Sequence, residues 1–183
     1  MSVKYFSKLS EAIFKTEVDG KGVVVAWDEA LRLIRRRISG LKVNNKIIII
    51  GNGGSASIAS HIATDFLKNA AIPALAFNDS SLLTCLGNDL GYENVFAKPI
   101  AILTQRGDIL LAISSSGKSA NILNGVDAAL KKGCFVITLS GFTENNPLRK
   151  KGSLNFYVPS NSYGYVEIAH LAICHLIADI FKK

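Results

Sequence analysis

The 183 residues contain only three histidines, His61, His170 and His175, and they fall in two segments that also carry carboxylates at helical spacing. His61 and Asp65 stand at i and i+4; Glu167 and His170 stand at i and i+3, with His175 further along. Side chains three or four residues apart on a helix share a face, so each segment can present imidazole and carboxylate together. That combination suits proton transfer near neutral pH, and it suits ligation of a zinc-type ion. The plainer reading makes Asp65 and Glu167 solvated helix residues and His170 a packed one, and packing is preferred for His170.

A second kind of chemistry is written in two serine–glycine runs, Gly51-Asn52-Gly53-Gly54-Ser55 and Ser114-Ser115-Ser116-Gly117-Lys118-Ser119. Each follows a strand-like apolar stretch and opens into a helix-like segment. A loop of that kind offers backbone N–H groups and hydroxyls at a helix start, where a phosphate is also favoured by the helix dipole. The first run is neither a Walker A loop nor a complete dinucleotide fingerprint. Alone it could be a tight strand-to-helix turn, which suits Asn52 and the glycines. The second run tilts the balance, because four hydroxyls (Ser114, Ser115, Ser116, Ser119) exceed what one N-cap needs. Lys118 adds a point charge there or is solvated.

These groups need a scaffold. Helical spacing over 4–18 and 23–38 is followed by strand 46–51, helix 55–69, strand 74–77, helix 80–86 and helix 94–104. Strand 108–114, helix 119–132, strands 134–140 and 154–158 and a last helix over 165–181 complete the pattern. Apolar strands without polar alternation, separated by helices, predict an α/β three-layer sandwich, flavodoxin-like, with a parallel sheet of about five strands. Both serine–glycine loops then lie at carboxyl ends of strands, where such sheets bind ligands.

Composition narrows the class. The length fits a single domain over 1–183. No stretch approaches the ~20 apolar residues of a membrane span, and the first residues lack a secretory signal's apolar core. Three scattered cysteines (Cys85, Cys134, Cys174) predict small buried side chains in a cytoplasmic protein rather than disulfides or a thiolate metal site. The net charge of +7 fits anionic small ligands; the basic runs 35–37 and 149–151 lack interleaved aromatics, so nucleic acid is not an expected partner.

G-N-G-G-S at 51–55 followed by S-S-S-G-K-S at 114–119 resembles the sugar isomerase (SIS) domain, and more narrowly the phosphoheptose isomerases. The resemblance spans nearly the whole chain, including the two leading helices and Gly87-Asn88-Asp89. It implies that Ser55, Ser114, Ser115, Ser116 and Ser119 hold a phosphate and that Asn52, Gly53, Gly54, Asn88 and Asp89 line a sugar. It implies conversion of D-sedoheptulose 7-phosphate to D-glycero-D-manno-heptose 7-phosphate for lipopolysaccharide or capsule heptose. It also implies a homotetramer with sites at subunit interfaces, the helices of residues 1–40 or the last helix packing against a neighbour.

The family's metal and catalytic set of His, Glu, Gln and His reads here as His61, Asp65, Glu167 and His175, with one zinc ion per subunit. Asp65 is one methylene shorter than the family's glutamate, and a shift of about 1 Å can be costly in catalysis. Glu167 replaces an uncharged amide, and Asn69 stands where the isomerases carry arginine. A compensated swap is the reading of this pair: Glu167 takes over much of the carboxylate role, with Asp65 kept as ligand or orienter. Catalysis falls to Asp65, Glu167 and His175. Two other readings remain, a non-catalytic SIS adaptor that binds the replication initiator DnaA and a SIS isomerase for another sugar phosphate. The joint presence of His61, Asp65, Glu167 and His175 favours an enzyme over the adaptor.

Overall fold

In a computed structural model that describes residues 2–182, a single seven-stranded sheet runs through the molecule. The chain opens with helix α1 (Ser2–Phe14), then strands β1 (Glu17–Gly20) and β2 (Val23–Val24), helix α2 (Trp27–Ser39) and strand β3 (Ile47–Gly51). Helix α3 (Gly54–Ala70), strand β4 (Ala74–Ala76), helix α4 (Ser80–Leu90), a short 3-10 turn (Tyr92–Asn94) and helix α5 (Ala97–Leu103) follow. Strand β5 (Ile109–Ser114), helix α6 (Ala120–Lys131), strands β6 (Phe135–Gly141) and β7 (Leu154–Val158) and helix α7 (Tyr163–Asp179) complete it.

The five strands β4-β3-β5-β6-β7 are all parallel. Their order is the flavodoxin-like 2-1-3-4-5, which reverses direction between β3 and β5. Alternate residues explain why these strands read as unbroken apolar runs. Ile47 and Ile49 enter the core shared with α2, α3 and α7, whereas Ile48 and Ile50 enter the core under α5 and α6. With helices on both faces, both sides of these central strands are buried and favour apolar residues.

Two departures from the sequence expectation concern the first forty residues. The helices expected over 4–18 and 23–38 are shorter, and between them β1 and β2 form an antiparallel hairpin whose first strand pairs antiparallel with β7. Arg149 pins it, donating from Nε to Asp19 at 2.8 Å and from its terminal nitrogen to Glu17 at 2.8 Å. The sheet therefore has seven strands, five of them the expected parallel set. Helix α4 also continues through Gly87 to Leu90, with Asp79 capping its start by accepting the Leu82 N–H at 3.0 Å. Of the cysteines, Cys134 and Cys174 are buried as expected, but Cys85 is exposed, because α4 buries no residue fully. Among the described residues no helix is long and apolar enough to cross a membrane.

Candidate active site

The two serine–glycine loops meet at the point where strand order reverses. β3 ends at Gly51, and Gly53 turns the chain into α3 with φ +54°, a left-handed value that favours glycine. β5 ends at Ser114, and Gly117 turns with φ +63° before α6. Within that second loop the Gly117 N–H donates to the Ser114 carbonyl at 3.0 Å. The Lys118 N–H donates to Ser116 Oγ at 3.2 Å, and the Ser114 and Ser119 hydroxyls lie 3.3 Å apart. Ser55, Ser114, Ser115, Ser116 and Ser119 line one small cavity of about 130 Å³ together with Asn52, Tyr163 and Glu167. Lys118 is exposed and does not line it. With five serine hydroxyls at two helix starts, and Asn52, Tyr163 and Glu167 completing its wall, this space has the size and donors for one phosphate group.

Asn52 has a job the sequence reading did not assign. Its amide and that of Asn121 hydrogen-bond reciprocally, at 2.9 Å each way, and the Tyr92 hydroxyl donates to Asn52 Oδ1 at 3.3 Å. The first loop is thereby tied to the start of α6, which fixes the two halves of the cradle to each other. Asn121, a buried polar residue on a core-facing helix position, was the available signal for this tie.

Glu167, in the first turns of α7, leans over the start of α3. A side chain at Gly54 would put its Cβ 2.7 Å from the Glu167 carboxylate, so in this position Glu167 lies directly against the start of α3 and any larger residue at 54 would displace it. Tyr163, one turn earlier on α7, stacks edge-on against Phe142 at 4.7 Å between ring centres. Asn88 and Asp89 are exposed on α4, where the Asn88 amide donates to Asp89 at 2.8 Å. The fold does not bring them into the cradle.

Further along the same two helices a second cluster forms. Asp65 Oδ2 stands 3.6 Å from His61 Nε2 and 3.3 Å from His175 Nδ1, with the two imidazoles edge-to-face at 5.1 Å. One ligand atom from each of the three lies within 4.8 Å of the others, a spacing at which nitrogen and oxygen donors can share one divalent ion. The Asn69 amide donates to the other carboxylate oxygen at 3.3 Å, leaving Oδ2 to the histidines. Glu167 is not part of this cluster. It precedes His175 by eight residues, about 12 Å of helix rise, so one straight helix does not deliver both to the same ion.

His170 is fully buried, its ring nitrogen Nε2 3.1 Å from the Ser140 carbonyl and Nδ1 without a partner. Burial pushes its pKa from 6.5 down to about 4, only partly opposed by that bond. It is a neutral packed residue, as expected.

A flavodoxin-ordered sheet with a hydroxyl-lined anion cradle at its switch point, flanked by an imidazole–carboxylate cluster, defines a phosphosugar-binding α/β domain. Residues 27–141 match the SIS domain family. The phosphoheptose isomerase of Sulfurimonas denitrificans is 36% identical over 187 residues, covering 99% of this chain and 94% of that one. That of a Nitratiruptor species is 37% identical over 152 residues, 80% of this chain and 81% of its own. The solved phosphoheptose isomerase GmhA of Neisseria gonorrhoeae superposes with a TM-score of 0.83 at 28% identity, covering 99% of this chain and 97% of the other. The chain belongs to the SIS domain family and, within it, to the phosphoheptose isomerases.

Proposed function

We propose that this chain isomerises D-sedoheptulose 7-phosphate to D-glycero-D-manno-heptose 7-phosphate and so supplies heptose for lipopolysaccharide or capsule. The observation that carries this reading is a phosphate-sized cradle, built by the loop after β5 and the start of α3, together with an imidazole–carboxylate cluster further along the paired helices α3 and α7. Ser55, Ser114, Ser115, Ser116 and Ser119 hold the phosphate. Glu167, at the edge of the cradle, accepts hydrogen bonds from sugar hydroxyls.

Aldose–ketose isomerisation needs a base for the proton on the carbon next to the carbonyl and a group that moves protons between the two oxygens. Asp65 fits the first task and His175 the second, since they already share a hydrogen-bonding distance. His61, Asp65 and His175 would hold a zinc ion, which when bound polarises the sugar oxygens and stabilises the enediolate.

Axial distance argues for a site shared between protomers. Asp65 lies ten residues beyond Ser55 on α3, about 15 Å of rise. Phosphorus and the carbonyl carbon of an extended heptose 7-phosphate are roughly 9 Å apart, from seven bonds of ordinary length. We therefore assign the acid–base cluster that serves one cradle to a neighbouring subunit's α3 and α7, in a homotetramer of cytoplasmic subunits. Exposed apolar side chains on α1 and α7 (Val3, Phe6, Ile168, Leu176) fit burial against another copy. Incubation with sedoheptulose 7-phosphate, with and without zinc, followed by NMR of the products is the test. Appearance of the aldoheptose 7-phosphate is the expected result; a folded oligomer that gives no product in either condition would remove the heptose assignment. Product from a different phosphosugar alone would move the chain to another SIS isomerase activity.

A further inference from the structure

The end of the sheet opposite the cradle carries a second anion-seeking feature. Arg36 and Arg37 in the last turn of α2, Lys42 in the loop after it and Arg106 in the loop before β5 line one open cleft of about 700 Å³. No aspartate or glutamate lines it. Among the described residues none of these four cations forms an ion pair, whereas Lys15, Lys46, Arg149 and Lys151 all do. Four positive charges left together in a protein of net charge +7 focus a field that favours anions in this cleft.

Helix-dipole compensation accounts for Arg36 and Arg37, which sit where a helix C-terminus favours cations. It does not account for Lys42 or Arg106, which arrive from separate loops. Asp108, which bonds the cleft residue Asn45, is fully buried and already occupied. It accepts from the Asn45 amide at 2.9 Å, the Lys46 N–H at 3.1 Å, Lys46 Nζ at 2.9 Å and the Gln105 N–H at 3.0 Å. It cannot turn outward to neutralise the cleft. Two of the arginines are pre-set: Arg37 lies over the Phe135 ring at 4.9 Å, and the stem of Arg106 rests against Gly133, where even a Cβ would approach it to 3.2 Å.

We propose that this cleft binds a polyphosphate anion, a chain of two or more phosphates as in tripolyphosphate or a nucleoside triphosphate. Guanidinium groups fork onto phosphate oxygens in pairs, and four cations lining one cleft carry more positive charge than a single phosphate neutralises, whereas a chain of phosphates matches it. The site is separate from the sugar-phosphate cradle. Its floor is the start of β5 and β6, and the cradle lies at the end of β5, five residues or roughly 17 Å away.

Titration calorimetry of the full-length protein with tripolyphosphate and, separately, with magnesium-free ATP tests this. Saturable binding that weakens as salt rises is expected, with affinity lowered about tenfold by Lys42→Glu or Arg106→Glu, a charge reversal at close range. Lys42 is exposed and its side chain makes no bond, so Lys42→Glu keeps the test free of folding effects; its sugar-phosphate turnover stays at the wild-type level. Equal affinity for the two probes shows recognition of the phosphates alone, and tighter ATP binding shows added contact with the nucleoside; either supports the site. Absence of saturable binding, or binding that Lys42→Glu leaves unchanged while Ser116→Ala weakens it, would overturn the proposal by assigning the anion to the cradle.

Discussion

At the level of single residues the acid–base cluster rests on one oxygen. Asp65 Oδ2 faces both His61 and His175, and Asn69 occupies the other oxygen. Asp65→Asn would keep the shape but remove the charge that orients both imidazoles. We expect kcat to fall by about 10²–10⁴-fold, with KM changed by only a few-fold under the proposal that the serine cradle holds the phosphate; steady-state kinetics checks both. Metal affinity should fall with it, measured by zinc retention after dialysis. A fall in KM affinity with kcat intact would place Asp65 in substrate binding instead.

His170 makes a second residue-level prediction. Its folded pKa of about 4 lies below its ordinary 6.5. Between those values the unfolded chain binds a proton that the folded chain excludes, so stability is full above pH 6.5 and is lost as pH falls toward 4. The contribution is about 3 kcal/mol over that window. His170→Gln, which keeps an N–H for the Ser140 carbonyl, should flatten the pH dependence of the urea midpoint between pH 6.5 and 4. Identical slopes for the two proteins would mean that the imidazole is not buried neutral.

Among the elements, the loop joining β6 to β7 supports the cradle from behind. Asn146 is fully buried. Its amide donates to the Thr143 carbonyl at 2.9 Å and to Ser140 Oγ at 3.2 Å, while its oxygen accepts the Arg149 N–H at 3.0 Å. The Leu148 N–H then donates to the Gly117 carbonyl at 3.1 Å, directly onto the serine loop. Asn146→Ala should cost about 1–3 kcal/mol by leaving those partners unsatisfied and should raise KM for the sugar phosphate while kcat stays closer to wild type. Chemical denaturation and kinetics read the two effects separately. A stability loss with KM unchanged would limit Asn146 to a packing role.

This connection was not legible in the sequence, and the reason is physical. The serine and glycine loops could be read because strand, loop and helix are contiguous, and local grammar suffices for them. The parallel strands could be read because burial on both faces writes unbroken runs of Ile, Leu and Val. Leu148 bonds Gly117 across 31 residues, and β1 finds β7 across more than 130, so no local pattern reports either. The hairpin was further disguised because Val18, Val23 and Val24 fit a helical spacing as well as two short strands. The cluster of His61, Asp65 and His175 was visible as residue types at helical spacing. That Glu167 belongs beside Gly54 depends instead on how α7 slides along α3, which periodicity does not encode.

At the scale of the assembled molecule, the proposed homotetramer predicts that one subunit's cluster serves a neighbour's cradle. Two variants separate the parts: Ser116→Ala with Ser119→Ala disables a cradle and leaves the cluster intact, and His175→Ala does the reverse. Each protein alone is expected to be nearly inactive. If a cradle works with its neighbour's cluster, a mixed oligomer made by co-expression regains active sites wherever an intact cradle meets an intact cluster. Random mixing places about one site in four in that state for a closed symmetric assembly, so activity should return to roughly that fraction of wild type. If both parts act within one protomer, no such site can form and the mixture stays as inactive as its components. Size-exclusion chromatography with light scattering on the same samples establishes that the variants assemble, so inactivity of an assembled mixture counts directly against the shared site. Leu176→Asp on the exposed face of α7 completes the argument: under the proposed shared site it should shift the protein to smaller species and abolish turnover while circular dichroism stays native, since that proposal leaves a cradle without a neighbour short of its acid–base partner.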